Sequence, residues 1–480
     1  MKICIIGSGA SGWMAAHTLK NKDFITEIVV VGSSKIPSIG VGESTTSMFN
    51  KFIEESLGLS RDSLEYYKFL RDIDASIKYG VNYVNWSKNK FLHGFLPENT
   101  FQLGNKPENL TYNESCVPLN ELIYNNKIYT DTTVQYYSYH FDAARFITTL
   151  MNLAKKIPKI KFIDDTVTDV GYNNKGVVEY IALESGNKLY SDYFVSCVGQ
   201  TDFSKKITKE DYISFSDKLL TDKALFVPLS FKNKEKEFHP YTTAKTMKYG
   251  WRWITPTYSR IGTGYVFSSN HISIDEACNE LLTDIGDSSL EPRVVDFIPR
   301  RITKTFKTNI CSIGLAAGFL EPLDAPGLSL SQRAITILEN ILEEIYYPRV
   351  NFSHCNFDIP NKIMAENYNY WCNFILHQYK TCHRSDTKFW VDHKNVESKE
   401  YDRLINEIFN PEIKDGLYHY FTDDYFMSCV EPWMIHNTSA GKDITWDTKG
   451  IKFSIKQDNV LNPNYIFSHH EYFDHIHNDY

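Results

Sequence analysis

With 480 residues, 42% of them hydrophobic and 23% charged, the chain has the make-up of an ordinary globular protein of one large domain or two or three average ones. A formal charge of -8 with no Lys/Arg-rich block argues against a nucleic-acid partner, and no apolar run approaches the roughly 20 residues that span a bilayer, so no membrane is expected. Nine cysteines, an odd number with no C-x-x-C pair, argue against a disulfide framework and a zinc site, so no metal and a reducing cytoplasm are expected.

The chain opens "MKICIIGSG", a strand over Lys2 to Ile6 that runs straight into a glycine turn and leaves no room for a signal peptide. A helix over about Ser11 to Asn21 and a second strand over Thr26 to Val31 complete a right-handed βαβ beginning. "GSGASG", Gly7 to Gly12, is therefore a G-x-G-x-x-G in its proper context. Gly7 permits the tight turn, Gly9 with Ala10 lets backbone amides approach a pyrophosphate, and Gly12 lets helix and strand pack closely. The second strand should end in Asp or Glu to hold a ribose hydroxyl, yet Gly32 stands there, which weakens the adenosine grip. "IGVGEST" adds Gly40, Val41, Gly42 and Glu43, and "SCVG" puts Gly199 after a strand. Three glycine turns point to FAD more than NAD.

Residues 77 to 86 alternate, with Ile77, Tyr79, Val81 and Tyr83 on one face and Lys78, Gly80 and Asn82 on the other, so Lys78 is expected to face away from the greasier side. The stretch 85 to 135 is loop-rich, 139 to 156 has helical periodicity, and 188 to 199 reads as one strand ending in a glycine turn. In "GWRWITP", residues 250 to 256, Trp251 and Trp253 share one side of an extended segment. Helical spacing runs from Leu328 to Tyr346, and most of the chain to about 430 also reads as helix. The last forty residues carry His469, His470, His475 and His477; a mobile or surface-docked tail is expected there rather than a metal site.

Several stretches together resemble the flavin-dependent halogenases of the tryptophan-halogenase type: "GSGASGWMAA", "IPSIGVGEST", "YHFDAARF", "GWRWITP" followed by "RIGTGYVFSS", "IGLAAGFLEPLDAPG" and "HRSDTKFW", over about residues 1 to 390. The W-x-W-x-I-P element marks the family, with Thr255 here where the family has Ile. The resemblance implies a mixed α/β fold: an FAD-binding, three-layer ββα Rossmann-like core with interwoven sheet and loop insertions over 1–345, and a mainly helical substrate-side subdomain and tail over 346–480.

It also implies an enzyme in which reduced FAD, delivered by diffusion from a separate flavin reductase, and molecular oxygen turn halide into hypohalous acid. Trp251 and Trp253 then wall the flavin off from a small aromatic substrate, and Gly314 joins the cofactor residues. Lys78 matches the lysine that receives the oxidant, and a partly buried amine pushed towards neutrality suits that task. The catalytic glutamate falls on Asp324, one methylene shorter, while Glu321 is read as structural. Among the halide-binding amides Pro326 replaces a threonine and has no N–H, leaving Gly327 and Leu328. Fewer donors should favour bromide or iodide over the more strongly hydrated chloride. A flavin monooxygenase that hydroxylates an arene directly, and a flavin-binding protein that has lost turnover, stay open as alternatives, as do a homo-oligomer and the identity of the arene.

Overall fold

The computed structural model describes residues 1–36, 43–61, 63–87, 91–94, 102–103, 123, 125–129, 137–347, 355–409, 453–454 and 466–479. The chain forms two compact units, each assembled from non-consecutive segments: Met1–Ile73, Phe141–Ser216 and Phe297–Trp371 make the first, and Asp74–His140, Asp217–Asp296 and Cys372–Tyr480 the second.

The first unit is built on a six-stranded sheet in the order Ile160–Asp164, Glu27–Gly32, Lys2–Ile6, Tyr193–Ser196, Ile310–Ser312, Phe306–Lys307. The first five strands are mutually parallel. Their near-continuous Val and Ile content is what a sheet covered on both faces requires. On one face Cys4, Ile6, Val31, Phe194 and Ile310 pack against Val178, Ile181 and Leu183 of a three-stranded antiparallel sheet. On the other lies the helix Ala10–Leu19, with Gly12 close to Ile5. Its His17 Nε2 lies 2.8 Å from the Leu150 carbonyl of the helix Ala143–Ala154. The expected three-layer, mixed α/β Rossmann-like core is thus present.

Two sequence-based segments are redrawn here. The helix expected from 139 begins at Ala143, because Asp142 takes the N-cap and its carboxylate accepts from the Arg145 amide at 3.0 Å, while Ser138–Phe141 is strand. The single strand expected over 188–199 is two, Lys188–Tyr190 in the outer antiparallel sheet and Tyr193–Ser196 in the central one.

The second unit centres on a seven-stranded sheet in the order Arg293–Asp296, Lys223–Leu229, Ile261–Phe267, Gly250–Pro256, Thr242–Met247, Gly80–Val84, Phe91–Gly94. The helix Ile274–Ile285, closed by a Ser273/Glu276 capping box, packs Ala277 and Leu281 onto Leu225, Met247, Tyr265 and Phe267. The stretch 77–86 is not one strand. Tyr79 gives its amide to the Pro240 carbonyl at 2.8 Å and separates Ser76–Lys78, which pairs antiparallel with Ser138–His140, from Gly80–Val84 in the large sheet.

Further along, the helix Asp358–Thr381 runs across the division between the units, followed by Lys388–Lys394, Lys399–Phe409 and the terminal His469–Asp479. Residues 410–430, expected to be helical, lie outside the described residues, as does most of the loop-rich 85–135.

Candidate active site

In the first unit the glycine turn has the form a dinucleotide needs. Gly7 sits at φ +114° with its Cα facing the Cys197 carbonyl, where a Cβ would stand 2.3 Å from that oxygen; a Cβ on Gly12 would stand 2.0 Å from the Gly7 carbonyl oxygen. These two glycines are required by the fold. Gly9 is different: a Cβ there would meet nothing within 4 Å, so its lack of a side chain keeps open space rather than relieving a contact. Gly9 is also the N-cap of the helix that begins at Ala10, with no side-chain cap and no acidic residue in the first turn. The first-turn amides and the dipole are left for an anion such as a pyrophosphate, and the residues present fit a flavin dinucleotide.

Gly32 has a local reason too. A Cβ at that position would lie 2.0 Å from Ser8 Oγ, so the serine inside the glycine turn occupies the space a ribose-binding side chain would leave from. Gly199 follows its strand at φ +79° with open space beside it, and Gly314 packs against Ser11, where a Cβ would come within 2.4 Å of Oγ. Gly40, Val41 and Gly42 lie outside the described residues, and of Glu43 only its place in a short strand, Glu43–Ser44, is described.

The helix Pro326–Tyr346 starts at an uncapped N-terminus with Pro326 as its first residue and no acidic residue in the first turn. Its entry is unusual: Asp324 and Ala325 both lie at φ +59°, a left-handed conformation that Asp accepts more readily than most residues. Asp324 is buried and Gly327 is exposed with open space over its Cα. Ser331 donates to the Gly327 carbonyl at 2.9 Å, so the hydrogen between Ser331 Oγ and Ser11 Oγ, 3.1 Å apart, comes from Ser11. Two hydroxyls thus tie the glycine turn, with Gly9 and Ala10, to the turn that carries Gly327 and Leu328. Glu321, read as structural, is fully buried.

In the second unit Lys78 is only 1% exposed, against the expectation that it faces away from the apolar side. The surroundings are covered on all sides: Ile77 and Tyr79 are as buried as the lysine between them. Two residues earlier, Ser76 donates to the Pro256 carbonyl at 2.5 Å, which fastens the lysine strand to the end of "GWRWITP". Since that uses the serine hydrogen, His140 Nδ1–H must donate to Ser76 Oγ at 3.1 Å while its Nε2 accepts from Thr242 at 2.8 Å. Burial first, then the neighbouring Lys78, hold His140 well below its ordinary pKa, so it is a neutral strut.

Trp251 and Trp253 are buried on one side of their strand, with ring centroids 6.3 Å apart at 61°. The "HRSDTKFW" stretch holds the hairpin that presents them: Arg384 Nη1 and Trp390 Nε1 both donate to the Met247 carbonyl, at 2.7 and 3.0 Å, and Thr387 donates to Lys248 at 2.7 Å.

Of the two arrangements expected for the terminal histidines, the docked one is found, on the helix His469–Asp479. His469 is fully buried, with Nε2 accepting from the Ile77 amide at 3.2 Å and Nδ1–H donating to the Phe238 carbonyl at 3.0 Å. His140 was missed by sequence reasoning, its signal being "YHFDAARF", and His469 was noted only within a histidine-rich terminus, not for its contact to the lysine strand. Among the described residues no group of three His, Cys, Asp or Glu is arranged to hold a metal ion, and no helix is long and apolar enough to cross a membrane.

Comparison with known proteins identifies the family. The family model for tryptophan halogenase matches residues 2–429. Tryptophan 7-halogenase KtzQ of Kutzneria sp. (strain 744) is 27% identical over 422 residues, covering 81% of this chain and 77% of the relative. Tryptophan 6-halogenase ThaL of Streptomyces albogriseolus is 26% identical over 428 residues, covering 82% and 79%. In fold, the chain resembles BrvH, a flavin-dependent halogenase from Brevundimonas sp. BAL3, with a TM-score of 0.74 at 24% identity over 90% of this chain and 89% of that one. With the family model spanning most of its length, the chain belongs to the tryptophan halogenase family, a family of enzymes.

Proposed function

We propose that the enzyme brominates or iodinates an electron-rich arene of indole or phenol type, with Lys78 as the amine that receives the oxidant and Asp324 as the carboxylate that orients it and takes the ring proton. The observation that carries this reading is the burial of Lys78 on a strand braced by Ser76 and His140, which holds the amine in one place. Reduced flavin with oxygen supplies hypohalous acid when it is bound at the Gly7–Gly12 turn. Halide is held by the amides of Gly327 and Leu328, and Trp251 and Trp253 keep the arene away from the oxidising centre. A neutral amine holds hypohalous acid by hydrogen bond, or takes its halogen to form a haloamine as the O–halogen bond breaks and the hydroxide leaves with an amine proton as water, and so presents an electrophilic halogen. Asp324 then lowers the energy of the cationic ring and removes its proton.

Free amides at Gly327 and Leu328, with Pro326 giving none, support the preference for the less strongly hydrated halides. Ser8 filling the space beside Gly32 supports weak flavin retention, which suits reduced FAD arriving by diffusion from a separate reductase. Residues 346–480 are assigned to the substrate side, and the described cysteines, all free thiols, fit a reducing cytoplasm.

The test is Lys78→Ala with reduced FAD, bromide and a panel of indoles and phenols, with and without excess free methionine to remove escaped hypohalous acid. Wild type should give methionine-resistant brominated product. The variant should oxidise flavin at an unchanged rate and lose that product. Bromination that survives both the substitution and the scavenger would refute the lysine; a hydroxylated product independent of halide would establish the monooxygenase instead.

A further inference from the structure

Among the described residues the strand Ser76–Lys78 has a ladder on one side only, with Ser138–His140. The Ile77 amide is met not by a neighbouring strand but by a side chain 392 residues later, His469 Nε2 at 3.2 Å. The imidazole is oriented from behind. Nδ1–H donates to the Phe238 carbonyl, the Phe238 ring stacks on it at 4.1 Å and 10°, and the His469 amide donates to the Asn126 carbonyl at 2.9 Å. Burial pushes His469 down to about 3, so Nε2 keeps its lone pair free to accept at any working pH.

The rest of the terminal helix is fixed with comparable care. Tyr258 stacks on His477 at 3.5 Å and donates to Asp474 at 2.9 Å, and Phe473 is fully buried beside His469. An imidazole buried wholly to satisfy one backbone amide, in the residue adjoining Lys78, does what a third strand would otherwise do.

We propose that His469 is a positioning residue for halogenation: it fixes the peptide between Ser76 and Ile77, immediately before the lysine, and so sets where the lysine amine stands. This rests on the assignment of Lys78 above. A misplacement of about 1 Å at such an amine is enough to cost on the order of a hundredfold in transfer. Generation of hypohalous acid, which takes place at the flavin, should be untouched.

The experiment compares His469→Ala, His469→Gln and Lys78→Ala in the full chain. Gln can place its Oε1 where Nε2 stands and accept from the same amide. Hydrogen exchange of peptides covering residues 74–80 should accelerate in His469→Ala and return towards wild type in His469→Gln, whatever Lys78 does. With an indole or phenol that wild type brominates in the presence of methionine, product per flavin oxidised should fall by about tenfold or more in His469→Ala. It should recover in His469→Gln, with flavin oxidation constant throughout. Unchanged exchange, unchanged coupling, or a coupling loss that Gln fails to restore in a folded variant would each overturn the proposal. Full coupling in Lys78→Ala, or no methionine-resistant product in wild type, would instead remove the lysine assignment, while the exchange result would still report on the His469 contact.

Discussion

Trp253 lies directly against Gly264, its partner on the neighbouring strand, so that a methyl group at Gly264 would stand 2.2 Å from the indole and 2.1 Å from the Leu225 carbonyl oxygen. The glycine is the recess into which one half of the indole wall is set. Gly264→Ala is expected to lower stability by roughly 1–3 kcal/mol or more, because a backbone carbonyl blocks one way out and a buried ring the other. Denaturant melts, with tryptophan fluorescence to follow the displaced indole, measure it.

The fingerprint glycines should separate into two kinds. Gly12→Ala puts a methyl against the Gly7 carbonyl and should destabilise the protein by roughly 1–3 kcal/mol. Gly9→Ala meets nothing, at φ -76° and ψ -175° that alanine adopts readily, so the melting temperature should hold or rise slightly. Its FAD affinity should nevertheless fall by about tenfold or more, since the methyl enters the space a pyrophosphate needs. Thermal melts and flavin titration by fluorescence distinguish the two.

Pro326→Thr would return an amide donor to the first turn of the helix Pro326–Tyr346. In competition between chloride and bromide, read by mass spectrometry, the variant is expected to incorporate relatively more chloride than wild type. An unchanged ratio would mean that the donor count does not set halide choice.

Acid should unfold the protein well before its carboxylates titrate. Burial pushes His17 down to about 4 and His393 and His469 to about 3, and His140 well below its ordinary value. Unfolded histidines titrate near 6.5. Between that value and the folded ones the unfolded chain binds more protons, so the stability present above about pH 6.5 is lost as pH falls, by about 1.4 kcal/mol per pH unit for each histidine. Melting temperatures measured from pH 7 down to about pH 4 should decline throughout; a flat profile would contradict the buried neutral histidines.

What could be read from the sequence was local. The glycine turn, the strand Lys2–Ile6 and the helix Pro326–Tyr346 are specified by neighbours a few residues apart, and their expected limits fell within two residues of the observed ones. The surroundings of Lys78 were not legible in the same way. A period of two says which residues share a face, but a face is solvent or core according to what packs on it, and here the covering residues come from 138–140, 256 and 469. His140 and His469 carry no motif of their own, since each is defined by a contact to the short lysine strand. Asp324 was found through resemblance alone, whereas its left-handed backbone, which suits aspartate better than glutamate, emerged only from the dihedral angles.

The contact between Ile77 and His469 closes a loop of 392 residues. Such a closure is among the last events of folding, since its entropic cost must be met before it gives any return. During synthesis the glycine turn and the lysine strand both emerge well before the helix that braces that strand. Until that contact forms, the strand that carries Lys78 lacks its brace, so loss of the helix His469–Asp479 should loosen residues 74–80 even where the glycine turn is intact.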